Sequence, residues 1–412
     1  MSGHWWLGWL MLCGVPVLAA SDPIGRIEIE GNATTREEVI LRELAVGVGE
    51  VADPDALEAS RQAILDLGLF REVSVAVVTD PDGTQVLRIE LREKRYLLPV
   101  PRLDASSDKD YSYGAQLRWS NVGGRNHRLN AYIEQSRFEN ESDRERDDLW
   151  RLSYQAPYLF NDRDGLFVSA EQLDRRNPAG FEEHFDRFAI GIQRDLRKDR
   201  PRHGWELGLG LLWERQDTSG PAAPDPDGTA TALLASARFD AQRFHVYSET
   251  GQRLDLQLQA ARRGWASDYS YGLWNARYVN AWQYREREHE NLRLVLGAGS
   301  RAGGPDSRDQ FSLGGSGSLR GYEADFLEGD RYYYGAVEYL RPIRWDWLRL
   351  LALVEVGGID DDQAGERSGE PYANLALGVR IRLTWFVDVE IEAGLAYPLR
   401  GGDGARFFAG GN

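Results

Sequence analysis

The sequence predicts a transmembrane antiparallel β-barrel of about sixteen strands, preceded by one small α+β domain whose elements run β-α-α-β-β. Three observations point there. From Tyr96 onward apolar and polar residues alternate with period two, in runs of about ten residues separated by turn residues, as tilted membrane strands require. After the first twenty residues no apolar stretch approaches the roughly 18 to 20 residues of a spanning helix, although aromatics make up 11% of the 412 residues. Helical spacing is confined to the segment between the signal-like start and Tyr96.

Residues 1–20 combine an apolar core with small residues at Ala19 and Ala20 and read as a secretory signal peptide. Cys13, the single cysteine, leaves with it. The exported chain then has no thiol nucleophile and no cysteine-rich metal site, and nothing in it implies a cofactor. With 65 Asp and Glu against 49 Lys and Arg, the formal charge of -16 excludes a general nucleic-acid binder and suits cations or polypeptides.

Residues 21–95 form the small domain. Ile27 and Ile29 alternate with charged neighbours in a first strand that turns at Gly31 and Asn32. Thr35 with Glu38 has capping-box spacing before Val39, Ile40 and Leu44. Asp53 and Pro54 start a second helix, which carries Leu57, Ile64 and Leu65 and stops at Gly68. Val73, Val75 and Val77 make one face of the next strand, Asp82 and Gly83 supply a hairpin turn, and Leu87, Ile89 and Leu91 alternate in the last strand.

Residues 96–412 form the barrel. Tyr113, Ala115, Leu117 and Trp119 alternate with Gly114, Gln116 and Arg118, and the pattern recurs at Trp150–Ala156, Trp205–Trp213 and Leu254–Leu258. Trp119, Trp205, Trp213 and Trp385 fall at strand ends, where headgroups favour indole. A soluble β-sandwich also alternates, but seldom places aromatics at both strand ends. Eleven runs precede residue 310, starting near Leu97. Five follow it, starting near Tyr332 and covering 345–357, 373–384, 386–396 and 405–412.

Between those groups lies Phe311–Tyr322, in which Gly314, Gly315, Gly317 and Gly321 surround Leu319, Arg320 and Tyr322. Four glycines allow positive φ and tight packing, and a guanidinium shut away from water needs a carboxylate. This segment resembles the arginine-glycine-aromatic signature of the BamA/TamA-type outer-membrane assembly barrels, a superfamily that includes two-partner secretion transporters. Residues 24–94, with Gly31-Asn32, Leu67–Phe70 and Glu93-Lys94, resemble one polypeptide-transport-associated (POTRA) domain. The resemblance implies sixteen strands with the arginine loop between the eleventh and twelfth. It also implies a bacterial outer-membrane location with the N-terminal domain in the periplasm, and unfolded or nascent outer-membrane or secreted polypeptides as clients, served with or without accessory periplasmic factors.

Alternation names partners for Arg320 inside the barrel. Glu338 and Glu392 lie on wet faces, as does Glu355, which also occupies the place of the family's acidic residue two before a glycine, Gly357 here. The bland reading is that Arg320 is merely solvated in a wide lumen. Val73, Val75 and Val77 mark an edge strand for clients, against a rigid spacer that binds nothing. Pro99 and Pro101 remove two N–H donors from one edge of the first strand, unless they belong to a linker. With Phe408 and Gly410 on the short last strand, they outline a lateral seam. The six histidines are scattered and no hydrolase, metalloprotease or phosphate-loop motif occurs, so the expectation is a non-enzyme that inserts or translocates polypeptides. The alternatives are a dedicated two-partner secretion transporter and a passive porin-like channel.

Overall fold

A computed structural model describes residues 22–105, 111–138, 145–176, 181–220, 223, 227–304, 310–360, 369–402 and 404–411. The signal segment expected at 1–20, with Cys13, lies outside the described residues. The N-terminal domain consists of β1 (Ile24–Glu30), α1 (Glu37–Leu41), α2 (Pro54–Asp66), β2 (Phe70–Thr79) and β3 (Gln85–Glu93). Its sheet order is β1-β3-β2, with β1 parallel and β2 antiparallel to β3. Ile24, Ile40, Ile64, Phe70, Leu87 and Ile89 form the core between sheet and helices.

Local signals explain α2 well. Asp53 Oδ1 accepts the N–H of Ala56 at 2.7 Å, Pro54 fills the first turn, and Gly68 takes φ 72° just past the end. The capping box expected from Thr35 and Glu38 does not form. Arg36 holds the N-cap position of α1 with no side-chain cap, and Leu44 lies beyond the helix. Long-range partners take Thr35 instead: its hydroxyl meets Tyr96 Oη at 3.0 Å and Asn121 Nδ2 at 2.8 Å, while its N–H donates to Glu93 at 2.7 Å.

The barrel strands begin with β4 (Leu97–Ala105), β5 (Tyr111–Val122), β6 (His127–Phe138), β7 (Glu145–Ala156), β8 (Asp164–Arg176), β9 (Glu182–Asp195), β10 (Gly204–Ser219) and β11 (Gly228–Asp240). There follow β12 (Arg243–His245), β13 (Ser248–Ala261), β14 (Tyr271–Gln283) and β15 (Asn291–Gly303). An inward hairpin of β16 (Phe311–Leu313) and β17 (Leu327–Gly329) precedes β18 (Arg331–Pro342), β19 (Leu348–Asp360), β20 (Tyr372–Leu383), β21 (Val389–Pro398) and β22 (Arg406–Gly411). Among the described residues, seventeen strands make one closed sheet. One is the three-residue β12, so sixteen span the wall, and the hairpin falls between the eleventh and twelfth.

Outward positions carry Ile133, Leu152, Ile192, Leu209, Leu211 and Leu377, all exposed. A closed sheet satisfies its own backbone and presents this apolar band, as a bilayer-spanning barrel must. Trp119, Trp205, Trp213 and Trp385 are exposed as well. Two boundaries differ from the sequence reading. The run expected at 345–357 starts only at Leu348, because Trp345 and Trp347 stack at 5.2 Å in the preceding turn. The run expected at 386–396 starts at Val389, after Asp388 turns the chain with φ 48°. The short β12 carried no sequence signal.

The N-terminal domain sits on the end of the barrel where β4 begins. Arg36 N–H donates to the Gly124 carbonyl at 2.9 Å, and Arg202 Nε donates to Glu43 at 2.8 Å. Phe244 N–H donates to Asp66 at 2.8 Å, while Lys94 lies 4.5 Å over the Phe244 ring.

Candidate functional site: the tethered loop and the closing seam

The inward loop has a small core of its own. Leu313, Leu319, Tyr322 and Leu327 bury themselves against Ile359 of β19 and Tyr372 of β20. Tyr322 stacks on Phe326 at 4.5 Å, and its hydroxyl lies 2.8 Å from the Arg400 carbonyl and 3.0 Å from that of Ala373. The glycines differ in purpose. Gly314 and Gly315 take φ 137° and 79°, so a side chain there would be strained. Gly321 approaches the wall so closely that a Cβ would lie 2.7 Å from Asn374 Cβ. Gly317 has neither a positive φ nor a crowding neighbour, which removes the conformational reason assigned to it from sequence.

Arg320 is 7% exposed and Glu355 is 0% exposed. The backbone N–H of Arg320 donates to Glu355 Oε2 at 2.8 Å, and Nη1 donates to Oε1 at 2.7 Å. Tyr334 Oη (2.5 Å) and Asn374 Nδ2 (2.9 Å) complete the carboxylate's partners. On its other side Arg320 reaches Glu392 Oε1 through Nε at 3.1 Å and Nη2 at 2.6 Å. Glu392 Oε2 in turn accepts from Arg380 at 2.8 Å. Glu338 does not bind Arg320 directly. It is held by Arg293 at 3.1 Å and by Arg380 at 2.9 Å, which also pairs with Glu392 at 2.8 Å. The desolvation of each charge is thus offset by an opposite neighbour with good geometry. Sequence reasoning missed Arg293, Tyr334 and Asn374 here. Tyr334 shares inward parity with Glu338, and Asn374 shares it with Arg380 on β20, so the same alternation would have found both.

The loop also meets the last strand. Arg320 Cζ lies 5.6 Å from the Phe408 ring, and a Cβ on Gly410 would come within 3.6 Å of Ser316 Cβ. Phe408 is buried over Gly394, while Phe407 faces outward.

The seam can be oriented from one hydrogen bond. Ser120 N–H donates to the Tyr96 carbonyl at 2.8 Å, so the backbone of Tyr96 points to β5. Alternation along an antiparallel strand then turns Leu98, Val100 and Arg102 toward β5 and turns Pro99 and Pro101 toward the closing edge. Arg95, of the same parity, donates away from β5 to Trp385 at 2.7 Å. Both prolines are within β4, paired with Leu117 and Ala115, and not in a linker. Their missing donors face β22, which has six residues and ends in Gly410 and Gly411. In the N-terminal domain Val73, Val75 and Val77 lie on β2, pack on the core, and leave the outer edge of β2 unpaired among the described residues.

Comparison with known proteins agrees with this anatomy. The POTRA family, described as a surface antigen variable number repeat, matches residues 23–94. Outer envelope protein 80, chloroplastic, of Oryza sativa subsp. japonica is 24% identical over 327 residues, which are 73% of this chain and 47% of that protein. The chain therefore spans about half the length of that relative. Among solved structures, CdiB from Escherichia coli superposes with a TM-score of 0.64 at 13% identity, covering 94% of this chain and 75% of that one. CdiB from Acinetobacter baumannii gives 0.61 at 14% identity, covering 95% and 73%. BamA from Haemophilus ducreyi lacking POTRA domains 1-3 gives 0.58 at 13% identity, covering 95% and 84%. Residues 23–94 thus match the POTRA family, and the chain shares the fold of the CdiB and BamA barrels.

Proposed function

We propose that this protein resides in the bacterial outer membrane and inserts or translocates polypeptides there without enzymatic chemistry. The POTRA domain, on the periplasmic side, receives extended client segments along the free edge of β2 by backbone hydrogen bonding. Clients then pass to the lumen and to the seam between β4 and β22, with or without accessory periplasmic factors. The observation that carries this reading is the seam itself: two donor-free positions, Pro99 and Pro101, face a six-residue closing strand. A passive pore needs neither a weakened seam nor an inward loop tied to Glu355 and Glu392. The test places photo-cross-linking residues at Val75 and Ala405 in cells. Capture of the same outer-membrane or secreted chains at both positions supports the proposal. Labelling of lipid alone at Ala405, with no polypeptide at Val75, would sink it.

A further inference from the structure

Many inward arginines among the described residues are matched by carboxylates: Arg238 with Asp255 at 2.6 Å, Arg293 with Glu338, Arg382 with Glu249 at 2.8 Å. Arg102, Arg118 and Arg128 differ. They project inward from β4, β5 and β6 beside the seam, and among the described residues none has a carboxylate within ion-pairing distance. Arg118 donates only to the Asp388 carbonyl at 3.2 Å, and Arg102 to the Gln116 side chain at 2.8 Å. Arg102 Nε is buried with no hydrogen-bond partner. The three line one cavity of about 310 Å³ whose single acidic lining residue is Asp388. In a chain of net charge -16, this pocket stands out as cationic.

We infer that this pocket is a binding site for carboxylate side chains of an extended, acidic polypeptide segment. Guanidinium groups bind carboxylates by paired, charge-assisted hydrogen bonds, and the remaining wall (Gln116, Asn130, Ser153, Gln155) offers amides and a hydroxyl to a peptide backbone. The location favours a chain over a small ion. Arg128, Gln155 and Asp388 also line a second cavity, of about 360 Å³, bounded on its far side by Glu43 and Asp66 of the N-terminal domain. A continuous polar path thus runs from α2 to the inner face of β4. The site deepens the assembly proposal, on which it rests, by naming acidic segments as those held at the seam.

The test uses the full-length protein in nanodiscs and fluorescent hexaglutamate and hexaglutamine peptides, with inorganic phosphate as competitor. Hexaglutamate binds in a salt-sensitive manner, and R118Q/R128Q weakens it by about tenfold or more, one charge-assisted contact being worth about that factor. R128Q alone, at an exposed side chain and so without a folding penalty, shows a several-fold loss. Equal binding in wild type and variants overturns the inference, as does equal binding of the two peptides. Phosphate binding without glutamate preference overturns it too, as a small-anion site. The same wild-type preparation is assayed for client insertion, so a preparation that inserts clients while failing the peptide test removes this inference alone.

Discussion

Arg320 is bound to Glu355 twice, through its backbone N–H at 2.8 Å and through Nη1 at 2.7 Å. One carboxylate therefore fixes both the path of the loop and the direction of its side chain. A solvated arginine in a wide lumen would show neither bond. Because Glu392 takes the other side of the guanidinium and Phe408 lies beneath it, the tether joins the loop to β19, β21 and β22 together.

Removing Arg320 leaves Glu355 buried with no cation, and Arg320→Ala is expected to lower unfolding stability by about 3 to 5 kcal/mol. Glu355→Ala, which leaves Arg320 paired with Glu392, is expected to cost less. The double variant should cost clearly less than their sum, since it leaves no orphan. Urea unfolding of the folded barrel in lipid, followed by its shift in gel mobility, measures all three. Additive losses would mean that the contact is incidental.

At the seam, Pro99→Val with Pro101→Val restores two N–H donors on the edge facing β22. The closure should then tighten, with slower amide exchange at Phe407 to Gly411. Unchanged exchange there would show that β4 and β22 do not meet through that edge.

The joint between the domains should respond to pH through two groups outside the membrane. Burial raises Asp66 to about 6, outweighing the opposing pull of the Phe244 N–H, Gln62 and Arg243. Docking therefore favours its protonated form and strengthens as pH falls from 6 toward the ordinary carboxylate value, by about 1 kcal/mol at pH 5. Burial lowers Lys94 to about 8, so docking penalises the charged amine and strengthens as pH rises from 8 toward 10.5. Energy transfer between labels on the Asp82-Gly83 turn and the barrel should be weakest between pH 6 and 8. Asp66→Asn should abolish the acid limb only, and a limb that persists in that variant would assign it to another group.

Much of this anatomy is legible in the residues because alternation is enforced locally. One lipid-facing side chain at every second position fixes which residues point inward, and Glu355, Glu392 and Arg320 follow from parity and from the glycine-rich loop. The first cap was not legible. Thr35 had the spacing of a capping box, but Tyr96, Asn121 and Glu93, distant in sequence, took its polar groups. The docking residues Glu43, Asp66 and Arg202 were missed for the same reason. Their partners belong to turns of the barrel, including the unforeseen β12, and no periodicity brings a helix end to a turn far along the chain. Arg102, Arg118 and Arg128 were visible as inward residues, but their lack of a carboxylate among the described residues emerges only when every neighbouring strand is in register.

The most direct measurement compares client insertion by wild type and Arg320→Ala, both confirmed as folded barrels, in vesicles loaded with an unfolded outer-membrane protein, alongside their ion conductance. The account predicts that the variant still conducts while insertion falls to near the rate of empty vesicles. Insertion at the wild-type rate by a folded Arg320→Ala barrel would contradict it.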